Sequence, residues 1–485
     1  MTFALSFFLN AATNFAFGLT LSAILGPAEF GRYSTVQLAS ITLASGMLDW
    51  LRYSSLRFSG ERNEESVVAS SLEAGYLALT LGAYALVGAL VVFGQTFGLG
   101  VSLMLMTPLL GVAAHRVDFS GARFRARDEA RPYAGIYGLR QVLCFTAVVA
   151  VAWTTRDATL TVATLVVANL IPAILYAPRA RVAGTALRAA SRQRMMAFLV
   201  YAKPIVVLLV VFQVIVLINR HIALVHIGAE ATGKLSLATD LVQRLFGAAN
   251  SLPELVLFQQ VLRIDRTEGR EAAERQLKLN ISLALAFMAP LAMGYAVMAP
   301  TFEALMAPQA YRGAFSSLSA ELAPGYFALY ATLSAIGPIF QLKGATWQLT
   351  CASLLALAAN LALVGFTDLS QSVDGLALAT SLSFGVAMIA AIGLAWRTSL
   401  MRPRWRDLLV IAGATALMGA LLRPLNALPS PALAAVASLA VASAVLAIAY
   451  VGFDVGGARA MVRQAWMRRP APGGFGGRAL DGAQN

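Results

Sequence analysis

The chain has 485 residues, of which 58% are apolar and only 13% charged; its mean hydropathy is +0.70, yet its net charge is +13. A water-soluble protein carries roughly 25% charged residues, so this composition excludes a soluble enzyme on a membrane anchor and a basic nucleic-acid binder. It describes a polytopic membrane protein, with apolar residues for about 14 spans of roughly 20 residues each.

In chain order, apolar windows place spans near residues 3–25, 34–51, 69–93, 99–114, 134–153, 158–177, 204–226, 235–257, 279–299, 319–340, 347–366, 374–396, 408–422 and 432–452. The stretch Met1 to Leu25 lacks a basic leader and a small-residue cleavage site, so it reads as an uncleaved first span. Cys144 and Cys351 fall in distant apolar runs, and neither a disulfide framework nor a metal site follows from them. Assigning the connections alternately puts thirty of the 37 basic residues on one side and five on the other. The basic side is the cytoplasmic one, so both termini are expected there. Most of the net charge is then an orientation mark and a contact with anionic headgroups.

An internal repeat appears at an offset of 202. Gly26, Gly31, Arg32 and Ser34 match Gly228, Gly233, Lys234 and Ser236. It pairs span 7 with span 1 and span 8 with span 2, as in a parallel repeat about the membrane normal. The expected fold is therefore all-α, with two six-helix lobes and two extra C-terminal helices. The lobes are 1–178 and 204–396, separated by an amphipathic cytoplasmic helix over 179–203. Residues 397–452 supply the added pair, and 453–485 a disordered cytoplasmic tail.

The segment Ala23-Ile24-Leu25-Gly26-Pro27-Ala28-Glu29-Phe30-Gly31-Arg32-Tyr33-Ser34 resembles the turn after the first helix of bacterial polysaccharide exporters. These are the O-antigen and exopolysaccharide flippases of the multidrug/oligosaccharidyl-lipid/polysaccharide superfamily. The resemblance implies a flippase in the bacterial inner membrane that moves a polyprenyl-pyrophosphate-linked oligosaccharide by alternating access. It also implies membrane lipids, a polysaccharide polymerase and a chain-length regulator as candidate partners, and neither nucleic acid nor a cofactor.

Charges at membrane depth point to function. Asp49 and Arg52 lie three apart on span 2. Asn219, Arg220 and His221 cluster on span 7, and Asp240 and Arg244 lie four apart on span 8, while Asn14 sits on span 1. A cleft lined by spans 1, 2, 7 and 8 would gather Arg220, Arg244 and Arg52, with Asn14, around a diphosphate. Arginine suits that group because its fork donates two parallel hydrogen bonds and keeps its charge. Asp240 and Asp49 would orient the arginines or exchange a coupling ion. The same spacings also suit intrahelical ion pairs, Arg52 suits a cytoplasmic anchor, and Arg220 suits snorkelling to headgroups. Pro253, on span 8, is a candidate gate.

No serine triad, HExxH or phosphate loop stands in the context that its chemistry needs, so no enzyme activity or metal site is expected. A membrane polymerase or ligase would carry a long external loop, and a cation antiporter an acidic cavity. Those are the competing readings.

Overall fold

The computed structural model describes residues 2–58, 65–180, 187–252, 257–398 and 403–459. Among the described residues the protein is helical, without strands. A chain crossing lipid must satisfy its backbone internally, and the helix does so within one segment.

The helices are α1 (Thr2–Phe58), α2 (Glu65–Val92), α3 (Val101–Ala126), α4 (Ala130–Leu143), α5 (Val149–Thr155), α6 (Ala158–Ala180) and α7 (Arg192–Ile222). They continue with α8 (Ala229–Leu252), α9 (Gln259–Thr267), α10 (Arg270–Val297), α11 (Ala299–Met306), α12 (Ala314–Ala331) and α13 (Gly337–Lys343). The last four are α14 (Trp347–Phe366), α15 (Val373–Trp396), α16 (Trp405–Leu422) and α17 (Pro431–Phe453). Single π-turns join α4 to α5 and α12 to α13, and another extends α7 to Ile227. Among the described residues, 10 helical segments are long and apolar enough to cross a membrane.

Three expected boundaries move. The first two spans are two helical arms that meet at a kink at Gly26 (φ 71°, ψ 173°) without an intervening loop, so Arg32 lies on the second arm, 2.7 Å from Glu29. Residues 192–203, expected in a surface helix, form the start of α7, which is capped by Ser191 and runs on through Pro204. Residues 181–186 of that stretch lie outside the described residues, as do Pro253 and the tail from Arg468. Finally, α3 continues to Ala126, so much of the basic 115–140 connection is helix.

The bundle is organised on α1. It packs on α3, α6, α4 and α2 in the first half of the chain, and on α7 and α8 in the second. In the second half, α12 packs on α15, α8 and α10, and α14 on α15 and α7. Helices α16 and α17 join from outside, chiefly through α10 and α11. The α17 surface is nearly all outward-facing, with Leu439 and Ile448 more than two-thirds exposed, as suits a helix in contact with lipid.

The α1–α8 contact rests on the repeated glycines. Gly228 (φ 121°) bends the chain before α8 as Gly26 does within α1; the left-handed region suits glycine at both places. Five residues further on, Gly31 and Gly233 face each other across the interface. A Cβ on Gly31 would collide with the Ala229 carbonyl, and one on Gly233 with the Pro27 carbonyl. Residues equated by the offset of 202 thus meet in space, and small residues let the two backbones touch.

Gly233→Ala should destabilise the protein by roughly 3 kcal/mol or more, because backbone atoms cannot yield as a side chain does. Its monodisperse peak in size-exclusion chromatography should be lost. Gly88→Ala, whose Cβ would meet nothing within 4 Å, should keep that peak. Equal behaviour of the two would contradict the close-contact account.

Candidate functional site

Two neighbouring cavities lie inside the bundle. The smaller, about 470 Å³, is lined from α1, α3, α4 and α8 and carries charge: Arg52, Arg140 and Arg244 with Asp49, Asp118 and His115. The larger, about 750 Å³, lies among α7, α8, α10, α12 and α14 and is lined by aromatic and amide side chains. Leu209 and Gln213 on α7 line both, so the two adjoin.

Each arginine of the smaller cavity is held at one side. Arg52 Nε lies 3.1 Å from Asp49 Oδ1, one helical turn away, and its guanidinium sits 5.0 Å from the Tyr53 ring. Arg140 Nη1 is 3.8 Å from Asp118 Oδ1, and the Tyr137 hydroxyl donates to the same oxygen at 3.1 Å. Arg244 reaches from α8 to α1, where it donates to the Asn14 carbonyl and lies over Gly18. The Asn14 side chain accepts from Gln141 Nε2 at 3.1 Å, which ties α1 to α4 beside it. His115, only 4% exposed, stacks on Tyr76 and presents Nε2 to Asp49 Oδ1 at 3.4 Å. Three guanidiniums against two carboxylates leave the wall cationic, with donors to spare for an anion.

The expected site residues divide between two places. Arg52, Arg244, Asn14 and Asp49 come together in the smaller cavity. The spacing of Asp49 and Arg52 makes an intrahelical pair, as the sequence allows, and that pair also faces the cavity. Arg220 and Asp240 line neither cavity in this conformation. Arg220 is 1% exposed, the largest of the fully buried side chains. It pairs with Asp240 and donates from Nη1 to the Ser34 carbonyl at 3.3 Å, so it is neither wetted by a cavity nor snorkelling to the surface. Asp240 therefore pairs across to α7, and not with Arg244 one turn further along α8. Its neighbour Asn219 donates to Thr380 Oγ1 at 2.7 Å, tying α7 to α15.

The cavity also contains residues that sequence reasoning passes over. Arg140 counts by sequence with the basic connection 115–140, but it lies well inside α4. Its position inside the expected span 134–153 is the mark that places it deep. Asp118 and His115 are carried in by the length of α3. Other arginines of that connection serve the packing of helices, since Arg116 and Arg123 bind Glu73 of α2 at 2.9 and 2.7 Å.

No family model and no curated relative matches the chain. Solved structures do. One described as lipid II flippase MurJ, inward closed conformation, superposes with a TM-score of 0.73 at 14% identity, covering 95% of this chain and 99% of that one. An inward-facing multidrug resistance MATE family transporter of the MOP superfamily gives 0.57 at 15% identity, over 81% of this chain and 94% of its own. A MOP superfamily transporter from Pyrococcus furiosus, described as having reverse polarity of the binding pocket, gives 0.53 at 16%, over 82% and 94%. The chain shares its fold with these structures. It is an all-α, multi-pass membrane protein.

The buried pair can be tested on its own. Asp240→Asn leaves a desolvated guanidinium without its carboxylate, a loss of about 3–5 kcal/mol, whereas replacing both partners by apolar residues of similar size is nearly neutral. In detergent, the midpoint of thermal unfolding should fall for Asp240→Asn and recover in Arg220→Met/Asp240→Leu. Equal midpoints in all three proteins would show that the pair does not hold the helices.

Proposed function

We propose that this protein is a flippase that carries a polyprenyl-pyrophosphate-linked oligosaccharide, an O-antigen or exopolysaccharide repeat unit, across the bacterial inner membrane by alternating access. The observation that carries this reading is the convergence of Arg52, Arg140 and Arg244 on one cavity, each anchored at one side. A diphosphate is the ligand that such a set fits, because its oxygens accept paired, charge-assisted hydrogen bonds. A small cationic substrate would be repelled by the same wall, which disfavours the antiporter reading.

In this proposal Arg52, Arg244 and Arg140 bind the diphosphate, with Asn14 at the edge of the site. Asp49 orients Arg52 and, beside His115, is the carboxylate placed to exchange a coupling ion. Asp240 is already neutralised by Arg220, so these two act as a lock between α7, α8 and α1. Residues 1–178 and 204–396 form the two rocking lobes, and 397–452 add the outer pair, against which the polyprenyl chain stays in lipid. Both ends face the cytoplasm by the asymmetry of basic residues. A polysaccharide polymerase and a chain-length regulator are the expected partners.

A hydrogen bond to a charged group contributes about 1.5–3 kcal/mol. Arg52→Ala, Arg140→Ala and Arg244→Ala should therefore each weaken transport of a polyprenyl-diphosphate glycan in proteoliposomes by at least about tenfold. The same variants, present at normal levels, should fail to restore surface polysaccharide to a strain lacking the protein, and lipid-linked repeat units should accumulate on the cytoplasmic leaflet. Full restoration by all three would contradict this function.

A further inference from the structure

We propose that the larger cavity binds the glycan of the substrate and selects glycans without charge. This rests on the reading of the smaller cavity as the diphosphate site. Among the described residues lining the larger cavity there is no Asp, Glu, Lys, Arg or His. Its polar groups are amides, hydroxyls and phenols. Three of their atoms, Gln213 Oε1, Asn250 Oδ1 and the Tyr326 hydroxyl, are buried and have no hydrogen-bond partner. Buried polar atoms need partners, and the residues that carry these three line the cavity.

The partner chemistry follows from the atom types. Amide oxygens accept and a phenol donates or accepts, so the complementary ligand presents many groups that do both, as sugar hydroxyls do. The aromatic side chains make the other half of the argument. Tyr326 stacks on Tyr330 at 6.3 Å and meets Phe384 edge-on at 5.5 Å, and Phe384 meets Phe212 in the same way. Phe384, Tyr326 and Phe212 are buried and back Tyr330, the partly exposed ring of the set, whose face suits the C–H face of a pyranose ring. An alkyl chain would leave the three polar atoms unsatisfied, and a carboxylate or ammonium would enter a space whose described lining residues carry no opposite charge to pair it. Because Leu209 and Gln213 border both cavities, one molecule can place its diphosphate on the arginines and its adjoining sugars here.

The test measures binding to the purified full-length protein in lipid nanodiscs by calorimetry. Three ligands are compared: farnesyl diphosphate, farnesyl diphosphate linked to a neutral disaccharide, and the same compound with a hexuronic acid in the disaccharide. The neutral disaccharide should tighten binding at least tenfold over farnesyl diphosphate, and the uronic acid compound should show no gain. Tyr326→Phe, which keeps the ring, and Asn250→Ala should each remove most of the gain. A neutral disaccharide that adds nothing, or an acidic one that adds as much, would overturn the inference while leaving the diphosphate reading intact. If farnesyl diphosphate itself does not bind, the diphosphate reading fails, and this inference falls with it.

Discussion

An arginine inside a bilayer must be paired or wetted, because an isolated charge at that depth costs several kcal/mol, and the interior of this protein is arranged by that rule. Arg220 is paired: Asp240 and the Ser34 carbonyl take its charge, and almost no surface remains. Arg52, Arg140 and Arg244 stand at the edge of a cavity, Arg52 on Asp49 and the Tyr53 hydroxyl, Arg140 on Asp118 and Arg244 on the Asn14 carbonyl. The first kind of arginine fastens helices together, and the second leaves donors for something that arrives. The division between structure and function therefore follows whether a guanidinium is closed in by its partners or borders a cavity.

The same division explains the placing of the two cavities. Around the first, α1 bears on α3, α4 and α8, and the polar residues it carries meet charged groups from all three. Around the second, α12 brings Tyr326 and Tyr330, and α7, α8, α10 and α13 bring amides, with no Asp, Glu, Lys, Arg or His among the described lining residues. Both open beside the same stretch of α7, while the Gly31–Gly233 contact holds α1 against α8. The helix that carries Arg52 and the one that carries Arg244 are thus the two that touch most closely. Any motion that separates them pulls Arg52 and Arg244 apart.

Much of this was legible in the sequence. The apolar windows give the membrane fold, and the offset of 202 picks out the glycines that meet at the interface, because a backbone contact tolerates no other residue. Asp49 and Arg52 were readable as a pair because one helical turn fixes their distance. What could not be read locally was pairing across helices. Asp240 has Arg244 four residues away, yet it binds Arg220 on α7, since the bend at Gly228 joins α7 to α8 while both pack on α1. Arg140 was hidden for a related reason: a basic residue near a connection looks like an orientation mark until the length of α4 carries it inward. The bend at Gly26 hid in the same way, because a glycine-proline pair reads as a loop when it is a break within one helix.

The most direct test of the central claim is a cryo-EM map of the protein bound to a polyprenyl-diphosphate oligosaccharide. Diphosphate density within hydrogen-bonding distance of Arg52, Arg140 and Arg244, with Arg220 still paired to Asp240, is the predicted result. A diphosphate seated on Arg220, or in the uncharged cavity, would contradict it.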